Sequence, residues 1–303
     1  MPKRAHGRAE VIRLLKKSSS GEHQTSQQLH FATDYLTFFG YLSVELLSHL
    51  SVKDIENAVK LFQKAFGLTA DGVLDSKTRR AMEMPRCGCP DILDKSNKKH
   101  VQFLRAQEVS AEKRDRWNKT GLTYHIRDYV VSRMSKKTQA KVIAGAFKAW
   151  DDVCGLNIVS IKDAAKADII VSTGQGPVHN FDGAGGTLAW AFLPTGTDKQ
   201  LTMRFDLDET WIESTSQRGV LMSHVACHEF GHLLGLTHSK KAGALMAPYY
   251  NPYVGTPQMA DDIERIQKLY GKHEFGDPVT GTIKHEERQI ELKPGQRLLV
   301  VCN

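Results

Sequence analysis

No run of the chain approaches the 18 or so consecutive apolar residues of a membrane-spanning helix, so no membrane span is expected. An apolar segment of the sort a secretory signal needs is also missing from the start of the sequence, and no signal peptide is recognisable. Cysteine is scarce. The five present (Cys87, Cys89, Cys154, Cys227 and Cys302) are odd in number and irregularly spaced, which excludes a disulfide framework and leaves the fold to stand on its core. Charge of one sign is scarce too, once the first residues are set aside. Lys3, Arg4, Arg8, Arg13, Lys16 and Lys17 face Glu10 alone there, so most of the net charge of +7 sits in that leader. The remainder is close to neutral, and no basic footprint for nucleic acid is visible.

What is present divides into five stretches. Residues 1–28 are a basic, then polar, leader, read as solvated tail in preference to a targeting helix. Residues 29–91 hold three short helical patterns. Leu29, Ala32, Leu36 and Phe39 share the face of the first, and Gly40 stops it. The second opens on Ser51 and Asp54 as a capping-box pair and carries Ile55, Val59, Phe62 and Phe66. The third starts at Asp75. Residues 92–117 are charged and aperiodic, an exposed connector with Lys113-Arg114 as a cleavage point. Residues 118–271 mix strand patterns ("GLTYHI", "LNIVSI", "ADIIVST", "GTLAWAF", "LTMRFDL") with helices. One covers 135–153, with Val142, Ala146, Ala149 and Val153 on its apolar side; the others cover about 217–234 and 258–270. That order predicts an α+β fold, a mixed twisted sheet backed by helices. Residues 272–303 form a short tail with strand-like alternation.

The informative stretch is "HEFGHLLGLTH", residues 228–238. His228 and His232, four apart on a helix, present both imidazoles to one zinc. Gly235 can end the helix and swing His238 back as a third nitrogen donor. Three donors with a fourth position open is the catalytic arrangement of zinc, and Glu229 stands beside it as a general base for water. Met246, eight residues on in "ALMAP", fits the turn that follows such a helix in the metzincin pattern.

With "YLTFFGYL", "AVKLFQKAFGLTADGVLDSKTRRAM", "PRCGCPD", "FDGAGGTLAWAF", "RFDLDETW", "LMAPYY" and "DDIERIQKLYG" in order, the chain over about 29–271 resembles a latent matrix metalloproteinase (matrixin). The resemblance implies a metzincin catalytic domain behind a small three-helix propeptide similar to a peptidoglycan-binding module. It implies a zymogen whose Cys87 ligates the catalytic zinc until the propeptide is removed, with Arg86 and Asp91 bracing that loop as an ion pair. It also implies a zinc endopeptidase acting on extended protein or peptide substrates outside the cell or in its envelope, with glycan or peptidoglycan contact through the propeptide module. Calcium is implied on Asp182, Asp206 and Glu209 with the carbonyls of Gly183, Gly185 and Thr187. The specificity pocket maps onto His224, Pro248, Tyr249 and Tyr250. Asp261 and Asp262 open the last helix; by the resemblance, one anchors a trimmed N-terminus and the other braces the Met246 turn.

Two features depart from the family. The positions of its structural zinc fall on Gln175, Pro177, Trp190 and Arg204, which are not zinc ligands, so that second zinc is expected to be absent. Cys89 stands where the family has another residue. It could compete for the metal, pair with Cys87 on oxidation, or be an inert surface thiol; the expectation is inert.

Overall fold

The computed structural model describes residues 26–92, 116–252 (apart from 195, 197, 198 and 242), 260–272 and the short strands 283–285 and 288–290. The leader, the Lys113-Arg114 connector and most of the tail lie outside these residues. Two large hydrophobic cores and a small third cluster (Cys87, Cys89, Phe181 and Trp190) organise the described residues.

The smaller core belongs to three helices, α1 (Ser26–Phe38), α2 (Val52–Ala65) and α3 (Ser76–Met82). Leu29, Ala32, Leu36 and Phe39 are buried from the first, and Ile55, Val59 and Phe62 from the second. The capping box forms as expected: the Ser51 hydroxyl accepts from the Asp54 amide, and the Asp54 carboxylate accepts from the Ser51 amide. Gly67, at φ 63°, ends the turn after α2.

The larger core lies between a six-stranded sheet and two helices. The strands are β1 (Arg86–Cys87), β2 (Gly121–Ile126), β3 (Asn157–Ser160), β4 (Ile169–Gly174), β5 (Thr187–Ala191) and β6 (Leu201–Asp206), in the spatial order β1-β5-β6-β4-β2-β3. All neighbours are parallel except β5 and β6. A mixed sheet was expected; its outermost member, β1, comes from the other side of the connector.

Helix α4 (Lys136–Asp151) buries Gln139, Ile143, Ala146, Phe147 and Trp150, so of the expected side Ala146 is buried while Val142, Ala149 and Val153 pack against the core as its partly buried flank. The reason is polar. The buried Gln139 amide donates to the carbonyls of Val130 and Met134 and accepts from the Val130 amide, and an apolar-periodicity count misses such a residue. Phe147 stacks on Phe230 at 3.5 Å, and the Trp150 indole N–H donates to the Cys227 carbonyl, fixing α4 against α5 (Met222–Leu233).

Helix α5 starts at Met222, not near 217. Residues 220–221 are spent on strand β8 (Val220–Leu221), which pairs with β7 (Trp211–Ile212). Gly219 permits this at φ 146°, since a Cβ there would lie 2.3 Å from the Thr210 carbonyl oxygen. Helix α6 (Ala260–Tyr270) closes the larger core through Ile266. In the tail, β9 (Ile283–His285) and β10 (Arg288–Ile290) form a two-stranded antiparallel ladder.

Candidate metal centre

Every residue of α5 from Val225 to Leu233 is buried, because the helix runs between the sheet and α4. Its i, i+4 spacing sets His228 and His232 side by side, with ring centroids 4.9 Å apart. The chain then turns at Gly235 (φ 103°), and the Leu236 amide donates back to the Gly231 carbonyl. His238 arrives with its ring 5.4 Å from His228 and 4.8 Å from His232.

The rings are oriented from behind. His228 Nδ1 lies 2.7 Å from the Leu245 carbonyl and His232 Nδ1 2.6 Å from the Leu236 carbonyl. His238 Nδ1 lies 2.7 Å from Asp91 Oδ1. With each Nδ1 engaged as a donor, each Nε2 is left as a lone-pair donor toward the common centre. The Nε2 atoms of His228 and His238 are buried with no hydrogen-bond partner, and that of His232 meets only the Cys87 sulfur, 3.4 Å away. The four ligand atoms of Cys87, His228, His232 and His238 all lie within 4.8 Å of one another. Burial, then the neighbouring rings, pushes His228 and His232 well below the ordinary histidine pKa; burial lowers His238 as well, against the pull of Asp91. Neutral, unpartnered imidazoles around one point are what a zinc ion requires, so this residue set fits the metal.

Glu229 is wholly buried, and apart from the thiols facing it its carboxylate has no hydrogen-bond partner. Burial pushes it up to about 8. A dication beside it would pull the other way.

Met246 is fully buried beneath α5. A Cβ on Gly231 would lie 2.3 Å from its sulfur and 2.9 Å from the Trp150 ring, so the glycine leaves room for both side chains beneath the helix. Asp262 accepts from the amides of Leu245 and Met246 and is the acid that holds this turn. Asp261 instead accepts from the Ser239 hydroxyl.

The segment around β1 fills the cleft between β5 and the wall at 248–250. The Arg86 amide donates to the Gly186 carbonyl, the Cys87 amide to Pro248, the Gly88 amide to Ala189, and the Tyr250 amide to Pro85. A Cβ on Gly88 would lie 2.4 Å from Thr187 Cγ2, so the glycine lets the segment lie flat. Arg86 and Asp91 pair at 2.6 Å, as expected, with both nearly sealed from solvent. Sequence reasoning did not reach the groups that complete this pair. Tyr35 accepts from Arg86 at 2.6 Å, Tyr41 donates to Asp91 at 2.8 Å, and the Phe39 ring lies 3.5 Å from the guanidinium carbon. Burial works against the Asp91 charge, but Arg86 and then His238 hold its carboxyl well below the usual range.

His224, Pro248 and Tyr250 line one small cavity with Leu188, Val225 and the metal-centre residues. The Tyr250 ring stands edge-on to His224 at 5.3 Å, and its hydroxyl accepts from the Leu221 amide.

Asp182, Asp206 and Glu209 gather beside the 182–187 loop. Asp182 accepts from the Thr187 amide at 2.7 Å and Glu209 from the Gly185 amide at 2.6 Å, while Asp206 Oδ2 is buried without a partner. Burial, then mutual repulsion among the acids of this group, raises both Asp206 and Glu209. Gln175 donates to Asp208, the Trp190 indole N–H donates to the His179 carbonyl, and the Arg204 guanidinium carbon lies 5.7 Å from the Trp190 ring centroid. Cys154 and Cys227 are buried, as expected of small core residues. Cys89 is also buried and is not a surface thiol, because β1 docks its whole segment under the edge of β5.

Comparison with known proteins bears on this geometry. The family model described as matrixin matches residues 116–271, and that of a peptidoglycan binding domain matches residues 25–82. The chain is 33% identical over 266 residues to the hatching enzyme of Paracentrotus lividus, covering 86% of this chain and 42% of that protein. It is 35% identical over 288 residues to matrix metalloproteinase-19 of Mus musculus (93% and 51%), and 38% identical over 217 residues to the interstitial collagenase of Equus caballus (70% and 42%). The chain thus spans about half the length of these relatives. A buried three-histidine cluster on the α5 helix and its return turn, together with a match over the whole larger core, leaves one assignment: the chain belongs to the matrixin family.

Proposed function

We propose that the chain is the latent form of a zinc endopeptidase, with His228, His232 and His238 as the metal-holding residues and Cys87 as the group that closes the remaining position. The observation that carries this reading is the convergence of those four ligand atoms, with two imidazole nitrogens buried and otherwise unpartnered. Zinc held there supplies Lewis-acid chemistry, lowering the pKa of water and polarising a carbonyl.

The remaining work falls to the chain's own residues. Glu229, between two of the histidines on α5, accepts the proton of the attacking water and later passes it to the leaving amine. β5 and the 248–250 wall offer the backbone groups that β1 now occupies, so an extended peptide can take the place of β1 by strand addition once the propeptide leaves. The cavity under Tyr250, floored by His224, receives one of its side chains. Asp182, Asp206 and Glu209, with the carbonyls of Gly183, Gly185 and Thr187, hold calcium beside the β5 entry. The buried, unpartnered oxygen of Asp206 supports this. The activity is read as extracellular from the likeness to the matrix metalloproteinases; no helix among the described residues is long and apolar enough to cross a membrane.

Glu229→Ala in the zinc-loaded, propeptide-cleaved chain tests the reading. Zinc content is expected to stay at the wild-type level while hydrolysis of a quenched peptide falls by roughly 10²–10⁴-fold or more. Hydrolysis at the wild-type rate would remove Glu229 from the mechanism.

A further inference from the structure

Away from the metal centre and the β1 cleft, α4 and the loop after β7 enclose two adjoining hollows of about 790 and 630 Å³. Thr138 and Glu213 line both, so the two form one open groove along the first half of α4. Its floor is apolar, with Met134, Ala146, Trp211 and Ile212 buried there. Its rim is basic. Arg133, Lys137, Lys141 and Arg218 are exposed, and none of them is in an ion pair among the described residues. Of the two acids in the lining, Glu209 is buried against the Gly185 amide and only Glu213 is exposed. The first turn of α4 adds to the positive field, since it carries Lys136 and Lys137 and no acid. Lysines at that end work against the helix dipole, so they do not serve the stability of α4.

The groove is continuous with the site already described. Ser223 lines it, and the next residue, His224, lines the small cavity beside the metal centre, both in the first turn of α5. Every residue of the groove belongs to the larger core's part of the chain, so it is open in the latent form and stays when the propeptide leaves. Cations over an apolar floor complement a chain that alternates carboxylates with apolar side chains. A sulfated polysaccharide would satisfy the cations but has little to offer the floor. We propose that the groove is an exosite for an acidic stretch of the protein substrate, interspersed with apolar residues and lying beyond those that enter the cleft. The inference rests on the zinc-protease reading and adds a substrate class to it.

The test uses the zinc-loaded chain activated with a thiol reagent and compares a quenched core peptide with the same core extended at either end by alternating glutamate and leucine. One extension is expected to raise kcat/KM about five-fold or more, through KM. The gain should vanish at about 1 M salt, where the Debye length is about 3 Å. In Lys137→Ala/Lys141→Ala the ratio of extended to core rates should fall toward one. That ratio is taken within one protein, so a general loss of activity does not move it. Equal rates on core and extended peptides overturn the proposal, as does a ratio unchanged in the variant or an equal gain from a glutamine–leucine extension. Heparin binding that is lost in the variant, with no preference for the extended peptide, would assign the groove to a glycan and overturn it as well. No hydrolysis of any peptide would instead defeat the zinc-protease reading. Fluorescence anisotropy of the labelled glutamate–leucine extension on the intact chain then reads the groove without catalysis: binding that is lost in the variant keeps the acidic-peptide site, and no binding removes it.

Discussion

At the scale of single residues, the proposed latent state depends most on Arg86. It is 2% exposed and makes contacts in four directions: Asp91, Tyr35, the Cys87 carbonyl and the Phe39 face. Removing one partner of a buried ion pair leaves an uncompensated charge, at a cost of about 3–5 kcal/mol. In Arg86→Ala that charge is Asp91, which also orients His238. Cys87 and Cys89 should therefore become open to a chromophoric disulfide reagent in the folded chain, where the wild type protects them. Wild-type protection in the variant would show that Arg86 does not hold the segment. Much of this was legible beforehand. The i, i+4 histidines with Gly235 and His238 were readable because helix geometry alone brings them together, and the Arg86–Asp91 pair was given by the family likeness. The burial of Cys89 and the contact between Asp91 and His238 were not readable, because both depend on strands and turns some 100 or more residues apart meeting in space.

At the scale of elements, the short strand β1 carries the most consequence. It joins the catalytic sheet in parallel with β5 and bridges to Tyr249 on the opposite wall, so a propeptide segment completes a sheet that belongs to the other core. Periodicity could not announce a two-residue strand, and on α4 it gave Ala146 and the flank of the buried face but not the centre, because a buried glutamine, Gln139, turns toward the core there. On α2 the stripe gave Ile55, Val59 and Phe62 correctly but missed the buried Gln63, which is held by Asp71, Val73 and Thr78 much as Gln139 is held on α4. The 182–187 loop is the other element with a function to test. Gly183 (φ 92°) and Gly185 (φ 89°) give it a backbone that most side chains resist, with Asp182, Asp206 and Glu209 close behind. Calcium at about a hundred times its dissociation constant should stabilise the fold by about 2.7 kcal/mol, seen as a rise in Tm that is lost in Asp206→Asn. A Tm that does not respond to calcium would remove the ion from this loop.

At the scale of the whole molecule, two cores are clasped through one segment of residues 85–92. The helical module contributes Tyr35, Phe39 and Tyr41 to hold that segment, and the sheet and α5 contribute the cleft it fills. The same backbone groups cannot serve β1 and a substrate together, so in the proposed mechanism latency and peptide binding exclude one another. The most direct measurement is hydrolysis of a quenched collagen-like peptide by the intact, zinc-loaded chain before and after treatment with a thiol-modifying mercurial. Activity that appears only after treatment is the predicted result. Activity before treatment, or none after it while zinc remains bound, would contradict the account of a zinc protease held latent by its own thiol.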